Sequence, residues 1–327
     1  MSWVYREPMG IARLGAGLVV VCAWMLVRLP VVAAEPTPKT APSPSHARTF
    51  DSPKEAVAAL LAAAEPFDTS ALDAIFGPDG HDIIHTGEPA RDKKLAADFV
   101  AKAREKQEID IDPKNPDRAQ LIVGADDWPF PVPLVKRGGK WFFDSKAGLR
   151  EILNRRIGGN ELDAIQICHG YVEAQDDYAV MKRTDGSVPQ YAQRIVSTPG
   201  KQDGLAWQNA DGTWGGPIGE NIAGVIEQGY AKGEPYHGYY FKVLTGQGPA
   251  APMGRIDYVV KGAMIGGFAL AAAPAEYRVT GVNTFIVSND GVVYEKDLGP
   301  NTLDEFKKME LFNPDKTWKP VDEPSED

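Results

Sequence analysis

The chain has 327 residues, a formal net charge of −10, 43% hydrophobic and 24% charged residues. That length predicts two domains at roughly 100–200 residues each, and the composition excludes full-length disorder and a multi-span membrane protein. The acidic balance excludes a dedicated nucleic-acid binder, which needs a basic face for phosphates, and the two cysteines exclude a disulfide scaffold and a multi-cysteine zinc site.

In chain order, residues 1–34 have the pattern of a secretory signal peptide. Arg6 and Arg13 are basic, Leu14 to Val27 carries no charge, and Val32-Ala33-Ala34 offers small residues before Glu35. Cleavage is expected after Ala34, with no transmembrane span left afterwards. The alternative is an uncleaved anchor, for which the apolar run falls short of the ~20 residues of a spanning helix. Cleavage would leave Cys168 without an intramolecular partner. Export without a disulfide fits a bacterial periplasmic or secreted protein with a large core. Residues 35–49 read as a Pro/Ser-rich linker, too poor in apolar side chains to order themselves.

Ser52-Pro53-Lys54-Glu55 is a helix start: a capping hydroxyl, proline at the first position and an acid three residues after the cap. Helices are expected over Ala56–Ala64, Ser70–Phe76 and Arg91–Gln107. Strands follow at Ala119–Val123, Val132–Lys136 and Lys140–Asp144, the last two a hairpin across Arg137-Gly138-Gly139. Helices and then antiparallel strands predict an α+β domain over residues 50–148, NTF2-like by analogy of element order. Ala147 to Met181 is the longest helical pattern, with a break expected at Asn160 and Leu162, Ile165, Cys168, Val172 and Ala179 on its apolar stripe. A short helix is expected at Val225–Gly229. Strands are expected at Tyr239–Thr245, Ile256–Lys261, Gly267–Ala272, Asn283–Ser288 and Val292–Lys296, with Asn289-Asp290-Gly291 as the last hairpin turn. Asp304–Met309 is a short helix. The second domain is therefore a long helix on an antiparallel sheet over residues 149–319, and residues 320–327 are an acidic tail.

Several blocks carry a resemblance. They are Phe50–Pro53, Asp127–Pro133, Asn160–Gln166, Tyr191–Arg194 running into Ser197–Lys201, Pro235–Phe241, Gly267–Leu270, Pro274–Tyr277 and Asp290–Tyr294. On them the chain resembles the bacterial domain-of-unknown-function 2950 family across nearly all of residues 50–319. The resemblance implies an exported bacterial protein and assigns no catalytic residue. Within it, the long helix, Gly238-Tyr239-Tyr240-Phe241, the Ala-rich strand and Asp290-Gly291-Val292-Val293-Tyr294 are similar to the soluble part of pilin-like and pseudopilin-like proteins. Here the helix is internal and lacks the apolar N-terminal half that assembles filaments.

The sharpest site candidate is Tyr236-His237-Gly238-Tyr239-Tyr240. Tyr236, His237 and Tyr239 can line a groove, with His237 as the proton-transfer candidate; the plainer reading is aromatic packing at a strand start. Arg194, Lys201 and Trp207 lie in a polar segment, Gln190–Gly219, expected as an extended loop that can contact an anion or glycan. Ser197–Lys201 lacks the phosphate-loop spacing, and no cofactor motif is present. His81 and His85 stand at i and i+4 with Asp82 between them. Two histidines make only half a zinc site and no third ligand follows them, so no metal is assigned. Cys168 beside His169 reads as a core cysteine, because helical neighbours do not face each other. The expected function is a non-catalytic binding or assembly module that meets an envelope protein or cell-wall component. The alternative is a hydrolase or small-ligand binder that uses the Tyr236–Tyr240 cluster.

Overall fold

The computed structural model describes residues 46–86, 89–181, 188–220 and 234–322. The expected signal, most of the linker, the helix at Val225–Gly229 and most of the acidic tail fall outside the described residues. The fold is α+β, with antiparallel sheets and a few short parallel pairings. Two compact units divide between Ile152 and Leu153.

The first unit opens with α1 (Pro53–Ala64). Ser52 Oγ accepts from Glu55 N, which pairs an otherwise orphaned donor of the first turn, and Glu55 reaches back to the Asp51 N–H just ahead of the cap. Then come α2 (Thr69–Phe76), capped by Asp68, the one-turn α3 (His81–Ile84) and α4 (Pro89–Glu105). Strands β1 (Gln107–Ile111), β2 (Arg118–Val123), β4 (Leu134–Arg137) and β5 (Lys140–Phe143) pair antiparallel in that spatial order, with β3 (Trp128–Pro129) on β2. Leu60, Ile75, Leu121, Leu134 and Phe143 are fully buried between helices and sheet. Asp110 and its neighbours leave β1 exposed on almost every residue. Ile109 and Ile111 alternate with acids, but only Ile109 is even half-buried, so the strand has no strong apolar run to mark it.

In the second unit one sheet runs β18 (Lys319–Pro320), β16 (Val293–Asp297), β15 (Asn283–Ser288), β14 (Ala269–Pro274), β9 (Tyr239–Leu244), antiparallel throughout. Every residue of β14 is buried, so both faces of this central strand are covered. Helix α5 (Ser145–Met181) supplies part of that cover, and the short helix Thr302–Lys308 adds Phe306. The Ala-rich sequence of β14 suits a strand packed on both faces, where bulk would hold the layers apart.

Four expectations are corrected. First, α5 does not break at Asn160. The Asn160 amide is buried and donates to Thr280 O at 2.8 Å, so it does not compete for its own helix backbone. Second, of the expected stripe Cys168 and Ala179 are buried and Ile165 and Val172 pack on the core, but Leu162 is 63% exposed, and the buried face also takes in Asn160, Ala164, Tyr171, Ala174, Gln175 and Tyr178. Third, the expected loop Gln190–Gly219 holds a small sheet. Strand β7 (Gly204–Gln208) pairs parallel with β6 (Arg194–Val196) and antiparallel with β8 (Trp214–Gly215). The expected strand Ile256–Lys261 is also split. Tyr258 is fully buried between β11 (Ile256–Asp257) and β12 (Val259–Val260), and its hydroxyl donates to Gln247 Oε1.

Gln175 is fully buried and anchors the chain that enters β6. Its Oε1 accepts from Ala192 N at 2.8 Å, and its Nε2 donates to Ala192 O at 2.8 Å and Tyr171 Oη at 2.8 Å. Removing the amide leaves two buried backbone groups unpaired. Gln175→Ala is expected to lower unfolding stability by about 3 kcal/mol, at roughly 1–3 kcal/mol per unsatisfied group. Denaturant unfolding followed at tryptophan checks this. A loss under ~1 kcal/mol would mean that Ala192 finds other partners.

Candidate functional site

Strand β9 is entered by a tight turn. Tyr236 N donates to Tyr239 O and Tyr239 N to Tyr236 O, both at 2.9 Å. The central residues His237 and Gly238 have φ of +47° and +74°, the mirror-image turn that matches strand twist. Gly238 is required twice: by that φ, and because a Cβ there would lie 2.6 Å from Asn160 Nδ2 and 2.9 Å from Thr280 Cβ. The Asn160 side chain of the helix therefore lies directly against the backbone of the turn.

One helical turn beyond Asn160, Asp163 bonds to His237 Nδ1 through Oδ2. Their side chains are 39% and 28% exposed. The Tyr236 ring meets the imidazole edge-on at 4.3 Å. Between Asn160 and Asp163 in sequence, Glu161 turns to the neighbouring loop, where Oε1 accepts from Val282 N at 2.8 Å and Asn283 N at 3.0 Å. Tyr239 is fully buried and donates to Asn283 O at 2.9 Å. Asn283 in turn donates to Glu295 Oε2 at 3.0 Å. Desolvation, and then the Glu161 charge, push the Glu295 carboxyl above the ordinary carboxylate range.

The other candidates lie apart from this turn. Arg194 Nε is 3.8 Å from Asp203 Oδ2. Asp203 also accepts from Thr198 N and Oγ1 at 2.8 and 2.9 Å. Partial burial would raise its carboxyl, but the two Thr198 bonds outweigh that and hold it low. Lys201 is exposed on the same turn, its N–H on Thr198 O. Trp207 is 8% exposed and belongs to the core beside Leu205, so its ring is not a surface contact. Tyr236, like Ile195 and Val196, packs against Ala206 of the small sheet, which places the His237 turn beside it. An open cleft of about 290 Å³ lined by Lys296, Lys308 and Trp318, among others, contains none of these candidates.

The dyad holds the imidazole in one orientation and places a carboxylate on Nδ1, which favours a proton there. Cys168 supplies no nucleophile. It is fully buried, and desolvation pushes its thiol up to about 12. The sequence suggests no role for Asp163 or Glu161 and only a helix break for Asn160, because helical spacing alone does not say what they face. In the first unit, Asp73, His81 and His85 form a group whose ligand-type atoms lie within 4.8 Å of one another.

A family model described as "Protein of unknown function (DUF2950)" matches residues 47–321. The chain belongs to the DUF2950 family. No curated protein and no solved structure matches it. The family blocks Asn160–Gln166, Pro235–Phe241 and Pro274–Tyr277 of this DUF2950 chain meet around the His237 turn, where Ala275 N donates to Gly238 O at 2.8 Å.

Two outcomes follow from the electrostatics of this region. Glu295 has a folded pKa above its unfolded one, so its contribution to stability is fully present at low pH and lost as pH rises through the folded pKa. Glu295→Gln is therefore expected to raise the melting temperature at neutral pH, with the gain vanishing once pH falls below the carboxylate range. Calorimetry at both pH values checks it. The Cys168 peptide, followed by mass spectrometry, is expected to take up a thiol reagent only in denaturant. Rapid native labelling would mean that the α5 face opens.

Proposed function

We propose that this DUF2950 protein is an exported bacterial envelope protein whose C-terminal unit is a non-catalytic binding or assembly module. One observation carries this reading. The polar side chains around the His237 turn, Asn160, Glu161 and Tyr239, all bond to main chain. A catalytic centre aims such groups at a reacting atom; here they hold loops in place. The chemistry that can recognise a partner is the partly exposed Tyr236–His237 turn and the Ser197–Asp203 turn with exposed Lys201. The leader-like residues 1–34 support export. No helix of the described residues is long and apolar enough to cross a membrane. The partner classes that fit are an envelope protein or a cell-wall glycan, which aromatic edges and cationic turns both recognise.

The test is made in the bacterial cell. The mature chain is expected in the envelope fraction with Glu35 as its first residue. It is expected either to be retained on purified cell wall or to cross-link reproducibly to one envelope protein. Combining Tyr236→Ala with Lys201→Ala is expected to weaken that association at least about fivefold, the effect of truncating an ordinary interface hot spot. A cytoplasmic chain, or an exported one with neither association, would sink the reading. The His237–Asp163 pair favours a second reading, a hydrolase or small-ligand site. An activity or ligand lost in both His237→Ala and Asp163→Asn would select it.

A further inference from the structure

We propose that Asp73, His81 and His85 form a binding site for a divalent transition-metal ion of the zinc class. The site belongs to the first unit and is independent of the His237 turn. Asp73 stands on α2. The chain then turns through Pro78–Gly80 into α3, where His85 N donates to His81 O at 2.9 Å and closes one helical turn. That turn puts both imidazoles on one face, with ring centroids 4.3 Å apart and planes 30° from parallel. His85 Nε2 lies 3.2 and 3.3 Å from the two Asp73 carboxylate oxygens, and His81 Nδ1 lies 3.9 Å from Oδ1.

These distances suit a shared ion. Zinc sits about 2.0–2.2 Å from nitrogen and oxygen ligands in a tetrahedron, which puts neighbouring ligand atoms roughly 3.3 Å apart. The His85–Asp73 separation already meets that value. The His81 separation closes by a small rotation of a side chain that is 65% exposed. A hydrogen bond between His85 and Asp73 accounts for one imidazole only. It gives no reason for the second ring to stack over the first, where two protonated rings would repel. An ion held by one carboxylate and two neutral imidazoles accounts for all three positions.

The frame around the ligands is fixed. Thr86, next to His85, donates from both N and Oγ1 to the buried carboxylate of Asp92, the hydroxyl at 2.6 Å. Leu72, Ile75 and Phe76 seat α2 in the core on either side of Asp73. Three protein ligands leave a coordination position for water or a further ligand, as in exchangeable and catalytic sites rather than closed structural ones.

The test uses the full chain stripped with a chelator and titrated by calorimetry with zinc, and then with cobalt followed by visible absorption. One ion per chain is expected, with cobalt bands of a low-symmetry site. Asp73→Asn and His85→Ala are each expected to weaken binding by at least the ~10–100-fold that loss of a mere outer-shell partner costs. His169→Ala is expected to bind as the unaltered chain does. No saturable binding of zinc, cobalt, nickel or copper tighter than about 1 mM, or binding that survives His81→Ala and His85→Ala together, overturns the proposal. If that double variant unfolds, Asp73→Asn, nearly isosteric, decides alone: unchanged affinity overturns the site.

Discussion

Polar side chains of α5 bond to main chain elsewhere in the C-terminal unit, and the arrangement of that unit depends on them. Asn160 and Glu161 hold residues 280–283, and Gln175 holds Ala192. Along a helix rising 1.5 Å per residue, the two clamps are about 22 Å apart. A face of alanine, cysteine and tyrosine tolerates sliding, because hydrophobic contact is non-directional. A buried amide does not, since any shift in register strands it and its backbone partners without hydrogen bonds. Fixed at two separated points, the helix can neither rotate nor slip over the sheet.

That constraint shapes the sequences it touches. Gly238 keeps the turn before β9 within reach of Asn160, and Gly281 is bare because a Cβ there would occupy the place of the Tyr239 hydroxyl. Tyr239 and Tyr258 fill the core with their rings and pass their hydroxyls to Asn283 and Gln247. Large apolar area is thus buried without an orphaned polar tip. The family blocks around the His237 turn are, in this chain, the sequence cost of one helix–sheet contact.

Features that signal locally were legible. The hairpins joining β4 to β5 and β15 to β16 follow from Gly138-Gly139 and Asn289-Asp290-Gly291, and α1 from its capping box. Features that depend on distant partners were not. The α5 face was misassigned at Leu162 because polar Asn160 and Gln175 count against burial until their backbone partners are known. The sheet β6–β8 is built from strands of two to five residues, and buried β7 shows no alternation. Asp163 and His237 are 74 residues apart, and no spacing rule joins them. For the His81–His85 pair the acid that comes within reach, Asp73, stands upstream on another helix, where no spacing rule points to it.

His237 shows best how structural and functional demands divide. Its turn needs φ above zero at two consecutive residues, and glycine or asparagine satisfies that without the roughly 1 kcal/mol that a bulkier side chain costs there. A histidine at this position adds nothing to the turn itself. The bond from Asp163 offsets the cost, but that bond requires an acid on a partly exposed stretch of α5, where the fold has no other use for one. Asn160, Glu161 and Gln175 each satisfy buried backbone, so their loss would be felt as instability. The bond that joins His237 to Asp163 is between two side chains, each of them partly exposed. What it provides is an oriented, partly exposed imidazole beside an aromatic edge, and the recognition proposed for that turn would account for the strain.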